Sequence, residues 1–465
     1  MAVNTKELDK LYALMRSRNA GIAENEQYVR GLNPYILGQP TAKSPDNRIP
    51  DPLAKMAVET IVGYAGRAGD KTATIELSTK DEADKEDPFL EFVKTSDAYN
   101  KIDLENAELY EESNIQGEAY ELWWVSNEMS LDSGLMTPEF KIVPNSEIVV
   151  KRSRDLKPVD EYAIHFTKSL EGAITAEIYY PEFKETWIKT KDSEVWVKQK
   201  SLQKTDDGDQ EVDQVKYPYK IVPVNVFRSN RRSEPLFQAE KPLIDANDSI
   251  LSKSLNEVDR FNAVILLLSK AVDPEFTNKI KKGDISIIDE LTGDGTGEKA
   301  LAEYLEKNLQ GAKDFYESLG KTIRMEFHKS TKIPDFWSET FTGGEQAAKA
   351  LLVKLADLEF KASNIDMYFD QGIDKRLRFY VDVWNASNNA NVELSDYKSV
   401  ITSKRNVPVD MKDLAEIFNL LQGLSMKTRL GILPKAVIDD IETELIRQKD
   451  ELPKGTVPFD ENEHN

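Results

Sequence analysis

Two amphipathic helical patterns meet at residues 325–337, which read MEFHKSTKIPDFW. Before this segment, apolar residues recur every three or four positions from Leu301 to Leu319, as on the buried stripe of a helix. After Gly343-Gly344 a second stripe of the same spacing runs from Ala348 to Trp384. Pro334 cannot continue a helix, and it pushes the preceding residue toward extended geometry. The sequence therefore predicts a helix that ends where this segment begins, a polar-aromatic loop and a long second helix.

The second helix would span on the order of 60 Å if it were straight, because each helical residue adds about 1.5 Å. No proline interrupts the sequence between Pro334 and Pro408, and Gly372 is the position where a kink is expected. So long a helix needs packing partners along its whole length. A single subunit is not expected to supply all of them.

Composition limits the classes of protein to which the chain can belong. Its 465 residues are enough for two or three cores, and 61 basic against 82 acidic residues give a net charge of −21. So acidic a surface resists non-specific binding to nucleic acid. The absence of cysteine excludes disulfides and zinc–cysteine sites and suits a reducing compartment. No secretory signal is visible, and the longest apolar run, Ala263–Leu268, is too short to cross a bilayer. We expect a soluble, intracellular, mixed α and β protein with no membrane segment.

The first half of the chain changes from a helical to a strand pattern. Helices are predicted over residues 6–28 and 53–62, and from the start signal Asp87-Pro88 to about Gln116. From Ala119 to Lys220 the period becomes two, with turn residues at 132–134 and 206–209. This region is predicted to be an antiparallel sheet or a β-sandwich.

The second half follows an arginine-rich boundary at residues 228–235. A helix is predicted to start at Ser233 and Pro235, to be broken at Pro242 and to run to about Ala263. Beyond it the pattern predicts the following elements: strand-like runs at 265–268 and 285–288, a strand near Val400, helices over 411–422 and 434–449, and a disordered acidic tail over 451–465.

No residue pattern in the chain fits a catalytic, metal or cofactor site. Residues 293–299 lie between a predicted strand and a predicted helix, but they lack the glycine, lysine and hydroxyl spacing of a phosphate loop. The histidines His165, His328 and His464 have no ligand or nucleophile at useful spacing. The sequence therefore predicts no catalytic residue, no metal and no cofactor. A hydrolase with scattered carboxylates is the alternative from another class.

Two surface features each have a structural and a functional interpretation. Arg228, Arg231 and Arg232 precede a predicted helix start, where positive charge opposes the helix dipole. They lie either in a solvated loop or opposite acidic residues of another subunit. Lys329 and Lys332 stand among the aromatic residues of the loop, which either contact nucleic acid or cap a core. The residues alone leave both choices open.

Seven short segments, taken in their order and spacing, carry a family resemblance. They are Tyr28-Val29-Arg30-Gly31, Asn47-Arg48-Ile49, Ile115-Gln116-Gly117-Glu118-Ala119-Tyr120, Ile142-Val143-Pro144, Ile221-Val222-Pro223-Val224, Gly343-Gly344-Glu345-Gln346-Ala347 and Gly423-Leu424-Ser425-Met426-Lys427-Thr428. Their order resembles that of the portal proteins of tailed bacteriophages, of the siphophage type, over residues 8–452. Two features depart from the family pattern: Glu345-Gln346 stands where a small apolar step is common, and the boundary at 228–235 is unusually rich in arginine.

The resemblance implies an α+β portal fold assembled as a ring, usually a dodecamer, around a channel for double-stranded DNA. In that family the ring is a non-enzymatic part of the virion at one capsid vertex, made in the host cytoplasm. It contacts the major capsid and scaffolding proteins and docks the terminase packaging motor and later the head–tail connector. Another ring protein of the phage head or neck is the alternative within the same class.

The resemblance also divides the chain into regions. They are a wing at 1–232, a first stem helix at 233–263, a clip at 264–299, a second stem helix at 300–325, a tunnel loop at 326–342, a long wing helix and return strand at 343–410, a helical crown at 411–450 and an acidic tail at 451–465.

Three groups of candidate site residues follow from this division. His328, Lys329, Lys332 and Trp337 of the tunnel loop would face DNA; Lys279, Lys281 and Lys282 of the clip would dock partner proteins; and Arg228, Arg231 and Arg232 would lie between subunits. An acidic ring wall would repel phosphates, while a few lysines make weak and exchangeable contacts.

Overall fold

The computed structural model describes most of the first 402 residues and short pieces beyond them. The described residues are 3–39, 45–65, 74–79, 87–126, 136–191, 195–205, 208–217, 219–267, 297–336, 355–402, 405, 425–430, 444, 445 and 447. The chain divides into two units, one formed by Met1–Ser338 with Ala356–Asn406 and the other by Glu339–Leu355 with Val407–Asn465. The predicted strand at 285–288, the helix at 411–422, most of the helix at 434–449 and the tail lie outside the described residues.

Helices and strands alternate in blocks along the chain, as the sequence predicts for an α+β protein. The helices are α1 (Thr5–Val29), α2 (Pro34–Leu37), α3 (Leu53–Tyr64), α4 (Pro88–Asn100), α5 (Ile102–Gln116), α6 (Lys241–Leu267), α7 (Gly297–Thr331), α8 (Ala356–Asn388) and α9 (Met426–Leu430). The strands are β1 (Thr74–Thr79), β2 (Glu118–Ser126), β3 (Thr137–Val143), β4 (Ile148–Arg152), β5 (Asp160–Lys168), β6 (Ile174–Tyr179), β7 (Phe183–Lys189), β8 (Val197–Gln199), β9 (Ser201–Thr205), β10 (Gly208–Val212), β11 (Val215–Lys216), β12 (Val224–Arg228) and β13 (Tyr397–Thr402).

Local signals in the sequence fix several element boundaries. The Asp87 carboxylate accepts a hydrogen bond from the Phe89 amide at 2.8 Å, and Pro88 occupies the first turn of α4, which confirms the predicted start. Lys101 adopts a left-handed conformation and separates α4 from α5, a break that the pattern does not predict. Gly117, with φ of 89°, ends α5 and leads directly into β2, between the predicted helix end at about Gln116 and the predicted strand start at Ala119; we call this the helix-to-strand glycine step.

The predicted antiparallel region consists of more than one sheet. Strands β11, β7, β6, β5 and β4 lie side by side in that order, with β8 pairing on β7, while β12, β2 and β3 form a separate three-stranded sheet. Strands β9 and β10 pair antiparallel, and Gly208 and Asp209 of the predicted turn belong to β10, while residues 206 and 207 lie outside the described residues. The strand near Val400 is confirmed as β13, and it pairs with β1 from the first hundred residues.

Among the described residues, three hydrophobic clusters hold these elements together. One lies between α4, the second half of α8 and the three-stranded sheet, and contains Trp123, Phe140 and Phe379. A second packs α1 onto the six-stranded sheet through Leu8 and Met15. The third combines side chains of both sheets. The N-terminal helix therefore packs on the six-stranded sheet, and α8 packs on the three-stranded sheet together with α4.

Two predictions about the helices after the β-rich region are wrong. Pro242 does not break a helix; it lies in the first turn of α6, where its missing amide hydrogen costs nothing. The run at 265–268 is not a strand, because α6 continues through Leu267. Apolar runs this short fit either a strand or a buried helix, and periodicity cannot distinguish them.

The long second helix is confirmed over α8, whereas residues 348–354 of the predicted pattern lie outside the described residues. Helix α8 is continuous through Gly372, the predicted kink position. A side chain at Gly372 would place its Cβ 2.4 Å from the Phe227 ring of β12. The glycine therefore lets the helix approach the three-stranded sheet closely.

Candidate functional site

Helices α6 and α7 pack against each other and leave a groove of about 630 Å³ between them. One wall is largely apolar and comes from α6, with Ile250, Leu251, Leu255 and Val258. The other wall comes from α7 and carries charged side chains as well as Tyr316 and Gly320. A half-apolar groove on the surface of a subunit is typical of a surface that another element covers.

The helix α7 also carries apolar side chains away from this groove. Phe315 is 61% exposed, Met325 is 59% exposed and Leu319 is partly exposed one turn after Phe315. Because each helical residue turns by about 100°, Phe315 lies about 140° around the axis from Gly320 and about 180° from Arg324, both of which line the groove. One helix therefore presents a groove wall on one side and protruding apolar groups on the other.

Polar contacts with the segment at residues 45–52 hold α6 and α7 in place. The Arg324 guanidinium lies 2.8 Å from the Asp51 carboxylate and donates to the Asn247 side-chain oxygen at 3.3 Å. Asn247 also donates to Asp51 at 3.1 Å, and the Asp248 carboxylate accepts from the Asp51 amide at 2.9 Å. A loop 200 residues earlier in the chain thus fixes how the two helices pair.

The predicted end of the first helical pattern at Met325 is wrong, because α7 continues to Thr331. Phe327 is fully buried, and the Thr331 hydroxyl donates to the Phe327 carbonyl at 2.8 Å. The Ser330 hydroxyl donates to the Glu240 carboxylate at 2.6 Å. Phe327, which lies within the predicted polar-aromatic loop, therefore anchors a helical turn in the core. The chain leaves the helix only at Lys332.

The predicted DNA-facing residues are distributed over the end of α7 and the residues after it. His328 and Lys329 lie in the last turn of the helix, where a His328 ring nitrogen is 3.0 Å from the Ile333 carbonyl. Lys329 is exposed and lies 3.4 Å from Glu326. Lys332 is exposed, with φ of 62°, and ends the helix. Trp337 lies outside the described residues, as do Lys279, Lys281 and Lys282.

The predicted interface arginines belong to the turn that follows β12. Arg228 is the last residue of that strand, and Arg231 and Arg232 are exposed on the turn. They do not oppose a helix dipole, as the sequence suggests, because α6 begins only at Lys241. The Asn230 side-chain oxygen accepts from the Arg232 amide at 3.0 Å and from the Glu234 amide at 3.2 Å, so a side chain of the turn itself holds the turn.

The helix-to-strand glycine explains why this turn lies where it does. A Cβ on Gly117 would be 2.2 Å from the backbone of Ser233, and the Gly117 carbonyl accepts from the Ser229 amide at 3.2 Å. Both ends of the arginine turn therefore lie against the start of β2. Only glycine allows this approach, since its φ of 89° is also unfavourable for other residues.

A second pocket, of about 320 Å³, lies between the arginine turn, the residues before α6 and the first half of α8. Arg231 and Arg232 line it from the turn, and Lys361 and Tyr368 from α8. Burial lowers the pKa of the Lys361 ammonium, Glu240 opposes this shift and Lys332 adds to it. The pocket thus brings together several positively charged side chains, although the net charge of the chain is strongly negative.

Sequence reasoning misses the α8 residues of this site. Lys361 and Tyr368 fall beside the apolar stripe, where charged and amphipathic residues are ordinary. Phe360 and Met367, which are 66% and 69% exposed, also lie outside the stripe. Phe360 and Met367 are seven positions apart and therefore lie on one face of the helix, and this face is not the apolar stripe. Such a second pair of large apolar residues is the sequence signal that would have indicated this surface.

Other polar clusters in the described residues are structural. His165 lies 3.2 Å from Glu147 and is half-buried in the six-stranded sheet. The described residues contain no group of three or more histidine, aspartate or glutamate side chains arranged to hold a metal ion. Among these same residues, no helix combines the length and apolar character needed to cross a membrane.

Comparison with models of known protein families gives a match to this chain. A sequence model of the family described as phage portal protein, SPP1 Gp6-like, matches residues 5–452, which is nearly the whole chain. No curated protein matches the sequence.

Proposed function

The chain belongs to the SPP1 Gp6-like family of phage portal proteins, and from this premise we propose that its copies close into a ring through which double-stranded DNA is packaged and ejected. The family is structural rather than enzymatic and implies an oligomeric ring at the capsid vertex of the virion. For this chain, the observation that supports a ring is that α7 has exposed apolar side chains on one side and a groove wall on the other. The particular contacts, the DNA channel and the docking partners belong to the proposal.

The ring proposal follows from the geometry of α7. Each subunit exposes Phe315 and Leu319 on one side of α7 and the α6–α7 groove on the other. The apolar side chains of one copy can therefore fill the groove of the next copy. Contacts between two different patches of identical subunits are heterologous, and they repeat from copy to copy until the assembly closes. We place the apolar side chains of one α7 in the groove of the next subunit. The family resemblance gives twelve as the expected number of copies.

The DNA channel is assigned to the end of α7 and the residues that follow it. Lys329, Lys332 and Trp337 are assigned to face the DNA, whereas the largely buried His328 ring, which contacts the Ile333 carbonyl, is assigned to support the end of α7. Lys329 and Lys332 are exposed, and a ring repeats each of them around its axis. Single lysine contacts to phosphate are weakened by salt and easily exchanged, which suits a moving polymer. The rest of the acidic surface keeps the DNA from adhering to the wall.

The partner contacts are assigned by region. Residues 264–299, with Lys279, Lys281 and Lys282, form the proposed clip that docks the terminase packaging motor and the head–tail connector. The major capsid and scaffolding proteins are the other partners that the proposal includes. The boundary between the second stem helix and the tunnel loop moves from residue 325 to Thr331, where α7 ends.

The ring is tested by placing charge on the exposed face of α7. The double variant Phe315→Glu with Leu319→Glu is expected to remain folded, because both side chains are solvent-accessible in the subunit, and to lose assembly, because a carboxylate cannot enter an apolar groove cheaply. Native mass spectrometry and negative-stain electron microscopy report the number of copies and the central hole. The matched control is Leu156→Glu with Leu170→Glu, two fully exposed leucines of the β-rich region. Rings that persist in the α7 variant would refute the assignment of this contact.

The DNA channel is tested separately with Lys329→Gln and Lys332→Gln. Glutamine removes the charge of each side chain and leaves a polar, unbranched side chain that is one atom shorter, so rings should form normally while packaged DNA length or packaging rate falls. The control is Lys168→Gln, which removes a charge from an exposed strand end. Packaging to full length at the normal rate would remove these two lysines from the channel.

A further inference from the structure

The pocket of about 320 Å³ beside the arginine turn contains three cations that form no ion pair with the described residues. Arg231, Arg232 and Lys361 all line it, and none of the three has a carboxylate within 4 Å among the described residues. The two acids of its lining are Glu234 and Glu240. Of these, Glu240 is buried and already accepts a hydrogen bond from Ser330. The pocket therefore holds more positive than negative charge and offers guanidinium and ammonium donors to an oxyanion.

In the isolated subunit, keeping Lys361 charged costs free energy. Its ammonium is partly buried, and burial together with the neighbouring Lys332 lowers its pKa. A carboxylate brought close to it would reverse both effects, since an opposite charge favours the ionised form. Arginine adds a planar fork that binds a carboxylate through two parallel hydrogen bonds.

The surroundings of the pocket distinguish a protein partner from DNA. Phe360 and Met367 are 66% and 69% exposed on α8, and a spacing of seven residues brings them onto one face, about 100° around the helix axis from Lys361 and Tyr368. Phenylalanine, methionine and arginine are enriched where two proteins meet. A duplex backbone has no apolar surface to cover Phe360 and Met367, whereas a protein surface does.

From these observations, and resting on the proposed ring, we infer that the pocket receives an aspartate or glutamate side chain of the adjacent copy of this chain, while Phe360 and Met367 pack against the same copy. A second copy is favoured over an unrelated protein because the chain carries 82 acidic residues and a ring places one copy beside each pocket. This contact is distinct from the α6–α7 groove, and it would give each interface a charged element that fixes its register.

Zero-length crosslinking of the wild-type protein tests the inference without any variant. Copies labelled with ¹⁵N are mixed with unlabelled copies, dissociated and reassembled, and treated with a carbodiimide, which joins an amine to a carboxylate in direct contact. We expect crosslinked peptides that join Lys361 of one isotope to an aspartate or glutamate of the other. Crosslinks of Lys361 that join only peptides of the same isotope, such as those to Glu240, would overturn the inference. If the protein forms no rings at all, the proposed function fails first, and the two failures are thereby distinguished.

A set of variants gives an independent measurement. The triple variant Arg231→Gln, Arg232→Gln and Lys361→Gln is expected to lower the subunit affinity at least tenfold, read as the protein concentration at which rings dissociate. Its control is Arg154→Gln, Lys157→Gln and Lys168→Gln, which makes the same change in net charge at exposed positions of the β-rich region. Circular dichroism of the dissociated subunits shows whether the triple variant is folded. Should it not be, Lys361→Gln alone, with Lys361→Arg as the rescuing substitution, takes its place.

Two results would overturn the inference. One is an equal dissociation concentration for the triple variant and its control. The other is unchanged rings with reduced DNA packaging, which would assign the pocket to phosphate.

Discussion

Helices α7 and α8 are almost equal in length, with 35 and 33 residues, and both follow an amphipathic stripe in the sequence. Helix α8 buries its stripe within the subunit, against β12, α3 and α4. The described part of α7 instead leaves Phe315 and Leu319 of its stripe exposed, whereas the exposed apolar residues of α8, Phe360 and Met367, lie outside its stripe. The same kind of sequence pattern therefore marks one helix that completes a core and another whose apolar surface is uncovered in a single copy.

The difference shows what periodicity can and cannot report. A three-and-four spacing states which face of a helix avoids water. It does not state whether the covering element belongs to the same chain. For α8 the cover comes from residues more than a hundred positions away, such as Phe227, whose ring occupies the space left by Gly372. For α7 we propose that it comes from another copy.

A second difference between α7 and α8 is that α8 carries a buried ion pair. The Arg376 guanidinium of α8 is fully buried and donates to both oxygens of Glu121 on β2, with an Nε to Oε2 distance of 3.1 Å. It also donates to Asn106 of α5 at 2.7 Å, and Trp123 donates to Glu121 at 2.6 Å. A buried ion pair of this kind is expensive to disrupt because one charge is then left unpaired.

The largest expected effect comes from breaking this pair. Arg376→Met should cost about 3–5 kcal/mol of unfolding free energy, because it leaves the Glu121 carboxylate buried without its cation. Urea unfolding followed by tryptophan fluorescence measures the loss. In the double variant Arg376→Met with Glu121→Gln, both charges are removed while Trp123 keeps an acceptor, so a large part of the loss should return. If the double variant is as unstable as the single one, packing of the Arg376 side chain, and not its charge, supports α8.

The parts of the fold that the sequence predicts are those that depend on local chemistry. The cap at Asp87, the glycine step at Gly117 and the stripe of α8 each require only residues close in sequence. The pairing of β1 with β13 joins segments more than 300 residues apart, and no local signal encodes it. The same limit applies to the site: Arg231 and Arg232 are conspicuous in the sequence, but Lys361 becomes part of their pocket only through tertiary packing.

Glycines in the two helices offer a sharper comparison of how closely each is packed. Gly372→Ala should destabilise the protein by about 1–3 kcal/mol, since the new Cβ would be 2.4 Å from the Phe227 ring. Gly311→Ala in α7 meets nothing within 4 Å and should stabilise it by up to about 1 kcal/mol through helix propensity. Both are read as urea midpoints at equal subunit concentration. Equal effects of the same sign at the two positions would show that α7 and α8 do not differ in packing.

A smaller effect is expected from an acidic residue of α5, the helix whose Asn106 accepts a hydrogen bond from Arg376. It tests whether charges on α5 are paired as well as the charges of Arg376 and Glu121 are. Burial, together with the neighbouring Glu26 and Glu111, raises the pKa of Glu112 to about 7. A carboxyl whose folded-state pKa is raised stabilises the fold only while protonated, so this contribution is complete below pH of about 4.5 and is lost as the pH rises through about 7.

Glu112→Gln should therefore raise the unfolding free energy by about 1 kcal/mol at pH 8, since Glu112 is partly solvated, and change it little at pH 4. The pH profile of the urea midpoint, compared with that of Glu171→Gln on an exposed turn, measures this difference. A gain that is the same at both pH values would mean that glutamine improves packing and that Glu112 is not repelled.

The smallest expected effect concerns an ion pair on α7, the counterpart of the buried pair on α8. Lys329 lies 3.4 Å from Glu326, three residues earlier, and both side chains are largely solvated. In water the attraction is weak and is offset by the entropy lost in holding two long side chains together, so Glu326→Gln should change the unfolding free energy by less than about 0.5 kcal/mol. Raising the salt concentration should reduce even this difference, because exposed charges are screened. If Glu326→Gln instead costs as much as Gly372→Ala, the Glu326–Lys329 pair is shielded from water in the isolated subunit, and the contrast between an exposed pair on α7 and a buried pair on α8 is lost.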